Sequence, residues 1–470
     1  MNSNPQQFPT WWQDLQRSNP ILAAENASER IQRLMRLRKA ILESEEAIRQ
    51  ALHADLGKPA METNLTELLP VYNEIKHFKA NLHRWMRNRN MGPHFPYLLS
   101  SGHIQYQAKG CVLLIAPWNY PFQLAVMPLI AAIAAGNTVV VKPSEHAPAT
   151  TALLAELVPK ALGEDVVKVI AGDGQVGAEL LKLPFDHILF TGGERVGKIV
   201  AQSAAAELIP YTLELGGKSP VYVDESAPLA ATAAKVYWGK WLNGGQTCIA
   251  PDYLLMNRSM VPLMAEAFRG AASKVQEGEQ TGGPSLCQQI HAQHADRIRD
   301  LLQDALAGGA RIEVGGRWDD QGLRLEPTVL SGVTPGMRLM NEEIFGPILP
   351  IVGVDHLEEA LAFVRSRPKP LALYVFARNP KVMQRWAMES SSGSMCLNDV
   401  VIQISHPDLP LGGVGAYGSG SYHGRYGFET FSHARAVLRN PHWPNLTSFF
   451  YPPYTPFKAK LAGWLMRWMR

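Results

Sequence analysis

From Gly110 onward, short apolar runs alternate with stretches of helical spacing, and few folds accommodate that rhythm. Residues 111–116 form a brief apolar run suited to a buried strand, 121–135 read as helix up to Gly136-Asn137, and 138–141 are β-branched. Helix is expected at 150–162, 175–183 and 196–207, with strands at 166–170 and 187–190 between them. Apolar strands separated by helices of this length pack as a parallel, doubly wound sheet covered on both faces. A second series after Gly216-Gly217 places strands at 221–223, 254–256, 311–314, 348–352 and 371–376, so the chain is predicted to be α/β with two domains in tandem. Upstream, apolar positions from Ile31 to Leu52 recur at helical spacing. Residues 26–56 are therefore expected to form a helix stopped by Gly57, and Gly92, Pro93 and Pro96 break the pattern that follows.

Charge and cysteine usage narrow the function. The chain has 45 basic and 42 acidic residues, a net +3 spread along its length, which provides no basic face for nucleic acid. Cys111, Cys248, Cys287 and Cys396 lie far apart without a C-x-x-C pair. Zinc-ligand spacing is absent, no metal is expected, and a reduced cytoplasmic setting suits so few thiols in so long a chain. Residues 1–19 are polar and lack the basic-then-apolar order of a secretory leader, so none is expected. The longest apolar run, 124–135, is too short to span a bilayer.

Several residues are candidates for chemistry. Cys248 closes the polar turn Gly244-Gly245-Gln246-Thr247-Cys248, where the backbone can approach a ligand closely; it is either a reactive thiol or a small core residue. Glu214, between two leucines, is either a buried general base of raised pKa or the partner of Lys218 or Lys198. Asn119, in the turn after a strand, is either an oxyanion donor or a turn or N-cap asparagine. Two strand-to-helix loops offer phosphate sites: Gly172 to Gly177, which spells G-x-G-x-x-G, and Thr191 to Gly197. Spacing does not choose between them.

Together these segments resemble the aldehyde dehydrogenase superfamily, most closely its class 3 group, which handles aromatic and fatty aldehydes. The resemblance runs in order from Asp55 to His433. It comprises DLGKP (55–59), PWNYPF (117–122), AAGNTVVVKPSE (134–145), FTGGERVGK (190–198), LELGGKSP (213–220), GQTCIAPDY (245–253), EEIFGPILP (342–350), LPLGGVG (409–415), SYHG (421–424) and FETFSH (428–433). It implies that family's fold. A Rossmann-like NAD(P)-binding domain covers 1–90 and 108–212, an α/β catalytic domain covers 213–397, and a small β oligomerisation segment at 91–107 and 398–439 bridges a homodimer. A tail follows at 440–470.

The resemblance also implies roles. Cys248 is the nucleophile that carries a thiohemiacetal and then a thioester, Asn119 and the Cys248 N–H are the oxyanion donors, and Glu214 activates the hydrolytic water. For NAD or NADP it implies Lys142 and Glu145 at the adenosine ribose with Ser144 beside them, Glu343 at the nicotinamide ribose and Phe345 at the nicotinamide. Trp118, Thr191, Gly192, Gly193, Val196, Leu215 and Gly216 also face the cofactor. The phosphates fall to the loop 192–197, and Gly174 and Gly177 fall near the adenine. Tyr120, Tyr253 and His423 are expected along an aromatic substrate tunnel, although aromatic residues are more often simply core.

Five positions depart from the family pattern: Gly193 replaces a usual serine, Arg195 a glycine, Leu411 a phenylalanine, and Ala416-Tyr417 an Asn-Ser pair. Arg195 adds positive charge beside the phosphates while Glu145 repels a 2′-phosphate, so both cofactors stay open. Aromatic, medium- or long-chain aliphatic, terpenoid and coniferyl-type aldehydes are all admitted as substrates. The competing activities are acyl transfer to coenzyme A, thiol esterase chemistry without hydride transfer, and binding without catalysis. Finally, residues 440–470 contain no acidic residue, and Phe457, Leu461, Trp464, Leu465, Trp468 and Met469 share a helical face flanked by Lys458, Lys460, Arg467 and Arg470. That pattern suits either a membrane surface or a docking face on protein.

Overall fold

The predicted alternation of strands and helices is realised in a computed structural model that describes residues 6, 8–95, 97–282 and 286–469. Residues 1–5 of the polar N-terminal stretch, Pro96 and Arg470 of the basic tail lie outside the described residues. The first series builds a sheet in the spatial order Val167–Val169, Thr138–Lys142, Cys111–Ile115, His187–Gly192, Tyr211–Leu215, Gly418–Ser419. All neighbours are parallel except the last pair, in which Gly418 lies opposite Glu214. The strand order reverses beside Cys111–Ile115, and at such a switch point the loops leaving the strands diverge and open a crevice. The helix Gln123–Ala134 is buried on every side, as its apolar circumference requires.

The second series forms a sheet in the order Arg311–Val314, Thr328–Ser331, Ile348–Val354, Pro251–Asn257, Ser219–Val223, Ala372–Phe376, Ser394–Leu397, parallel except at Arg311–Val314. Only Gly216, Gly217 and Lys218 separate the strand Tyr211–Leu215 of the first sheet from Ser219–Val223 of the second. A third sheet stands apart. Its strands Arg89–Asn90, Ser101–Ala108 and Ser432–Arg439 pair antiparallel and bury little.

One local expectation is corrected, and two elements add to what was expected. The stretch 26–56 is two helices, Ala27–Glu43 and Glu45–Leu56, because Ser44 leaves helical geometry and Glu45 and Glu46 favour a fresh helix start. Asn26 caps the first of these in a reciprocal box with Glu29, and Gly57 ends the second at φ 59°. Part of the polar N-terminal stretch is helix Phe8–Ala24, whose Phe8, Trp11, Trp12 and Leu15 pack on the first sheet. The strand Tyr211–Leu215 carries too much polarity for an apolar run and was not expected, whereas Ser101–Ala108 falls almost wholly within the β segment that the resemblance implies.

Candidate active site

Strand Cys111–Ile115 ends in Ala116 and Pro117, and the turn that follows buries Asn119, which is 4% exposed. Its Nδ2 donates to the carbonyl of Gln246 at 2.9 Å, and its own carbonyl accepts from Asn243 Nδ2 at 2.7 Å. The turn is thereby tied to the loop that carries Cys248. That loop leaves the 3-10 turn Leu242–Gly245 with Asn243, Gly244 and Gly245 at φ 57°, 61° and 76°. Gly245 is required twice over. Its φ is left-handed, and a Cβ there would stand 2.3 Å from the carbonyl of Gly346. So close an approach sets Cys248 against the loop bearing Glu343 and Phe345.

Tyr211–Leu215 aims Glu214 into the same space. The candidate partners are elsewhere: Lys198 pairs with Glu194 at 2.6 Å, and Lys218 pairs with Asp252 while donating to the carbonyls of Leu339 and Glu342 at 2.8 and 2.9 Å. The Glu214 carboxyl is 4% exposed and its Oε1 has no hydrogen-bond partner. Burial therefore pushes its pKa well above the usual carboxylate range. Glu343 is raised to about 8, by burial and then by Asp252, against the pull of the Gly217 N–H. The Cys248 thiol is pushed up to about 12 by burial and by the two carboxylates, while its own N–H and that of Ile249 pull it down.

One apolar cavity joins these groups. It is lined by Trp118, Asn119, Thr191, Gly192, Gly193, Glu214, Leu215, Gly216, Cys248, Glu343 and Phe345, and also by Pro117, Leu124, Leu371, Leu411 and Tyr422. Phe345 is held at φ 50°, unusual for an aromatic residue. Its ring meets Trp118 edge-on at 5.3 Å, and its carbonyl contacts His294 Nε2 at 2.9 Å. Burial lowers His294 to about 4 and keeps it neutral.

The two glycine loops are not equivalent. In the G-x-G-x-x-G loop the Asp173 carboxylate already caps helix Gly174–Leu180, accepting from Gln175 and Val176 N–H at 2.9 and 3.2 Å. Helix Glu194–Ala206 begins at Gly193 with no side-chain cap, and Thr191 beside it keeps an unpartnered buried hydroxyl. An anion therefore finds free amides only at the second loop.

The remaining expected residues fall into two groups. Lys142 Nζ contacts Glu145 at 3.2 Å, Ser144 is buried alongside, and a Cβ on Gly177 would meet the Lys142 side chain at 3.4 Å, so these lie together with Gly174 at the neighbouring strand end. Val196 is exposed in the first turn of its helix. The substrate-tunnel expectation is corrected: Tyr120, Tyr253 and His423 do not line the cavity. Tyr120 is bound to Thr247 Oγ1 at 2.6 Å with Lys58 over its ring, Tyr253 faces Lys218, and His423 is buried behind Tyr422. Tyr422, Leu124 and Leu371 supply that wall with Leu411. Leu411 is a departure from the family pattern, whereas nothing in SYHG separates Tyr422 from an ordinary core aromatic.

The family model for the aldehyde dehydrogenase family matches residues 6–437. The chain is 41% identical over 436 residues to aldehyde dehydrogenase family 3 member B2 of Mus musculus, covering 93% of this chain and 90% of that protein. It is 40% identical over 436 residues to family 3 member B1 of Homo sapiens, covering 93% and 92%. Among solved structures, the substrate-bound state of Staphylococcus aureus AldH superposes with a TM-score of 0.91 at 37% identity, covering 99% of this chain and all of that one. A half-buried thiol, a buried amide and an unpaired carboxyl at the junction of two α/β sheets agree with that relationship, and the chain belongs to the aldehyde dehydrogenase family, within its family 3 branch, as an NAD(P)-dependent enzyme.

Proposed function

We propose that the protein oxidises an aromatic or medium- to long-chain aliphatic aldehyde to the carboxylic acid through a thioester on Cys248. The observation that carries this reading is a single apolar cavity shared by Cys248, Asn119 and an unpaired Glu214. Cys248 Sγ, once deprotonated, attacks the aldehyde carbon, and the oxyanion that forms is met by Asn119 Nδ2 and the Cys248 N–H. NAD or NADP, when bound, would supply the hydride acceptor, and loss of hydride from that carbon leaves Cys248 carrying the thioester. Glu214 then takes a proton from water as the water attacks, the C–S bond breaks, and Cys248 leaves as thiolate.

The residues present fit NAD or NADP. The uncapped amides at Gly193 and the orphan Thr191 hydroxyl suit the phosphates, Glu343 suits the nicotinamide ribose, and Phe345 with Trp118 suits the ring. Lys142 and Glu145 would hold the adenosine ribose, with Ser144, Gly174 and Gly177 nearby. The domain division follows: 1–90 with 108–212 binds cofactor, 213–397 carries the thiol, and 91–107 with 398–439 joins two copies through the third sheet. Leu124, Leu371, Leu411 and Tyr422 make an apolar wall, which favours a hydrophobic substrate.

Mixing enzyme, benzaldehyde or a long-chain aldehyde, and either cofactor should give reduced cofactor by absorbance and an acyl adduct on Cys248 by mass spectrometry after acid quench. Ester cleavage without cofactor reduction would replace the reading with a thiol esterase.

The tail supports a further part of this reading, peripheral contact of a cytoplasmic enzyme with a membrane surface. No helix among the described residues is long and apolar enough to cross a membrane. Helix Pro456–Trp468 turns Leu461, Trp464 and Leu465 toward Phe95, Phe449 and Phe450, yet leaves Phe457 and Trp468 67% and 70% exposed. The intact chain should sediment with anionic liposomes, and deletion of 457–470 should abolish that; equal sedimentation of both would remove the tail from the account.

A further inference from the structure

Tyr422 is a wall residue of the cavity with an unused polar group. Its backbone is fixed by an isolated bridge to Leu411, with N–H to carbonyl distances of 2.8 and 3.0 Å. Behind it His423, at φ 90°, and Gly424, at φ 50°, reverse the chain. The His423 ring stands edge-on to that of Tyr422 at 4.6 Å, and Gly424 N–H donates to the buried Glu74 at 2.8 Å. The side chain is therefore clamped rather than free to swing. Tyr422 is 1% exposed and lines the cavity with Glu214, Cys248 and Leu411. Among the described residues its hydroxyl has no hydrogen-bond partner, and Glu214 Oε1 has none either. Burial and the charges of Glu214 and Cys248, which reach the phenol, hold its pKa well above the usual range, so it stays neutral.

Two buried polar groups facing one apolar cavity are costly unless water satisfies both. We propose that Tyr422 positions the hydrolytic water: its phenol oxygen accepts one O–H of the water while Glu214 accepts the other, leaving a lone pair for the thioester carbon. This rests on the reading of Glu214 as the deacylating base. In that step the water oxygen bonds to the acyl carbon, its proton passes to Glu214, and the C–S bond breaks with the electron pair going to Cys248. A neutral anchor suits the task, because a charged one would repel the carboxylate.

The test is Tyr422→Phe, which removes only the hydroxyl. With enzyme in excess over aldehyde, the single-turnover rate of cofactor reduction should stay within about twofold of wild type. Steady-state turnover should fall about tenfold, acyl-Cys248 should accumulate by intact mass, and hydroxylamine, which needs no base to attack a thioester, should restore turnover. An unchanged steady-state rate, or a single-turnover rate that falls as far as the steady state, would overturn the proposal. Wild-type protein that reduces cofactor yet never carries an acyl group would overturn the thioester reading itself, an outcome distinct from a variant that acylates and deacylates normally.

Discussion

Glu214 owes its chemical character to what is not beside it. A leucine-flanked glutamate reads as buried from sequence alone, but spacing left Lys198 and Lys218 as partners, and only the fold commits those lysines to Glu194 and Asp252. An unpaired buried carboxyl is protonated more readily than one in water, so its base form grows as pH rises. Turnover should therefore climb with pH above the usual carboxylate range, with Glu343 crossing near 8 on the way. A pH–rate profile that falls over this range would contradict the assignment. Glu214→Gln should cut steady-state turnover by roughly 10²–10³-fold while a first turnover of cofactor reduction persists in stopped flow. Asn119→Ala should raise the barrier to acylation by about 3 kcal/mol, read as a slower single-turnover rate. Cys248→Ala should abolish oxidation and leave cofactor binding by fluorescence in place.

Elements were legible where polarity and burial agree. The apolar runs at 111–116, 138–141 and 187–190 became strands Cys111–Ile115, Thr138–Lys142 and His187–Gly192. The strand Tyr211–Leu215, which bears Glu214, was not legible, because its burial comes from neighbours far away in sequence. The choice between the two glycine loops was equally hidden, since it turns on which helix start is already capped. Two element-scale predictions follow from the geometry. Gly245→Ala forces a side chain into left-handed backbone and against Gly346, and should cost about 1–3 kcal/mol of stability from the backbone alone with a larger loss of activity, read by thermal melts and turnover. Glu74, buried and raised to about 7, favours the folded state most when protonated. Its contribution is full below about 4.5 and is lost as pH rises through 7, a change on the order of 3 kcal/mol. Glu74→Gln keeps an acceptor for Gly424 and should raise the melting temperature at pH 8.5 relative to wild type, with no gain at pH 4.

At the scale of the whole molecule, two tandem α/β sheets were anticipated from the two alternating series, and the family resemblance accounted for the third sheet. That sheet buries little of its own surface, with Leu438 and Met91 58% and 45% exposed, and a thin ribbon of this kind gains from being covered. A homodimer in analytical ultracentrifugation, broken by Leu438→Glu without loss of the monomer's fold, is the expected result; a wild-type monomer at micromolar concentration would exclude the bridge. The short tether Gly216-Gly217-Lys218 has a wider consequence. The base lies in a strand of the first sheet and the thiol in the turn that leads into strand Pro251–Asn257 of the second, and the tripeptide joins the strand that holds the base directly to the first strand of that second sheet. One extra residue inserted there would leave each half able to fold while shifting the carboxyl by about 3.5 Å, beyond the reach of a single water molecule.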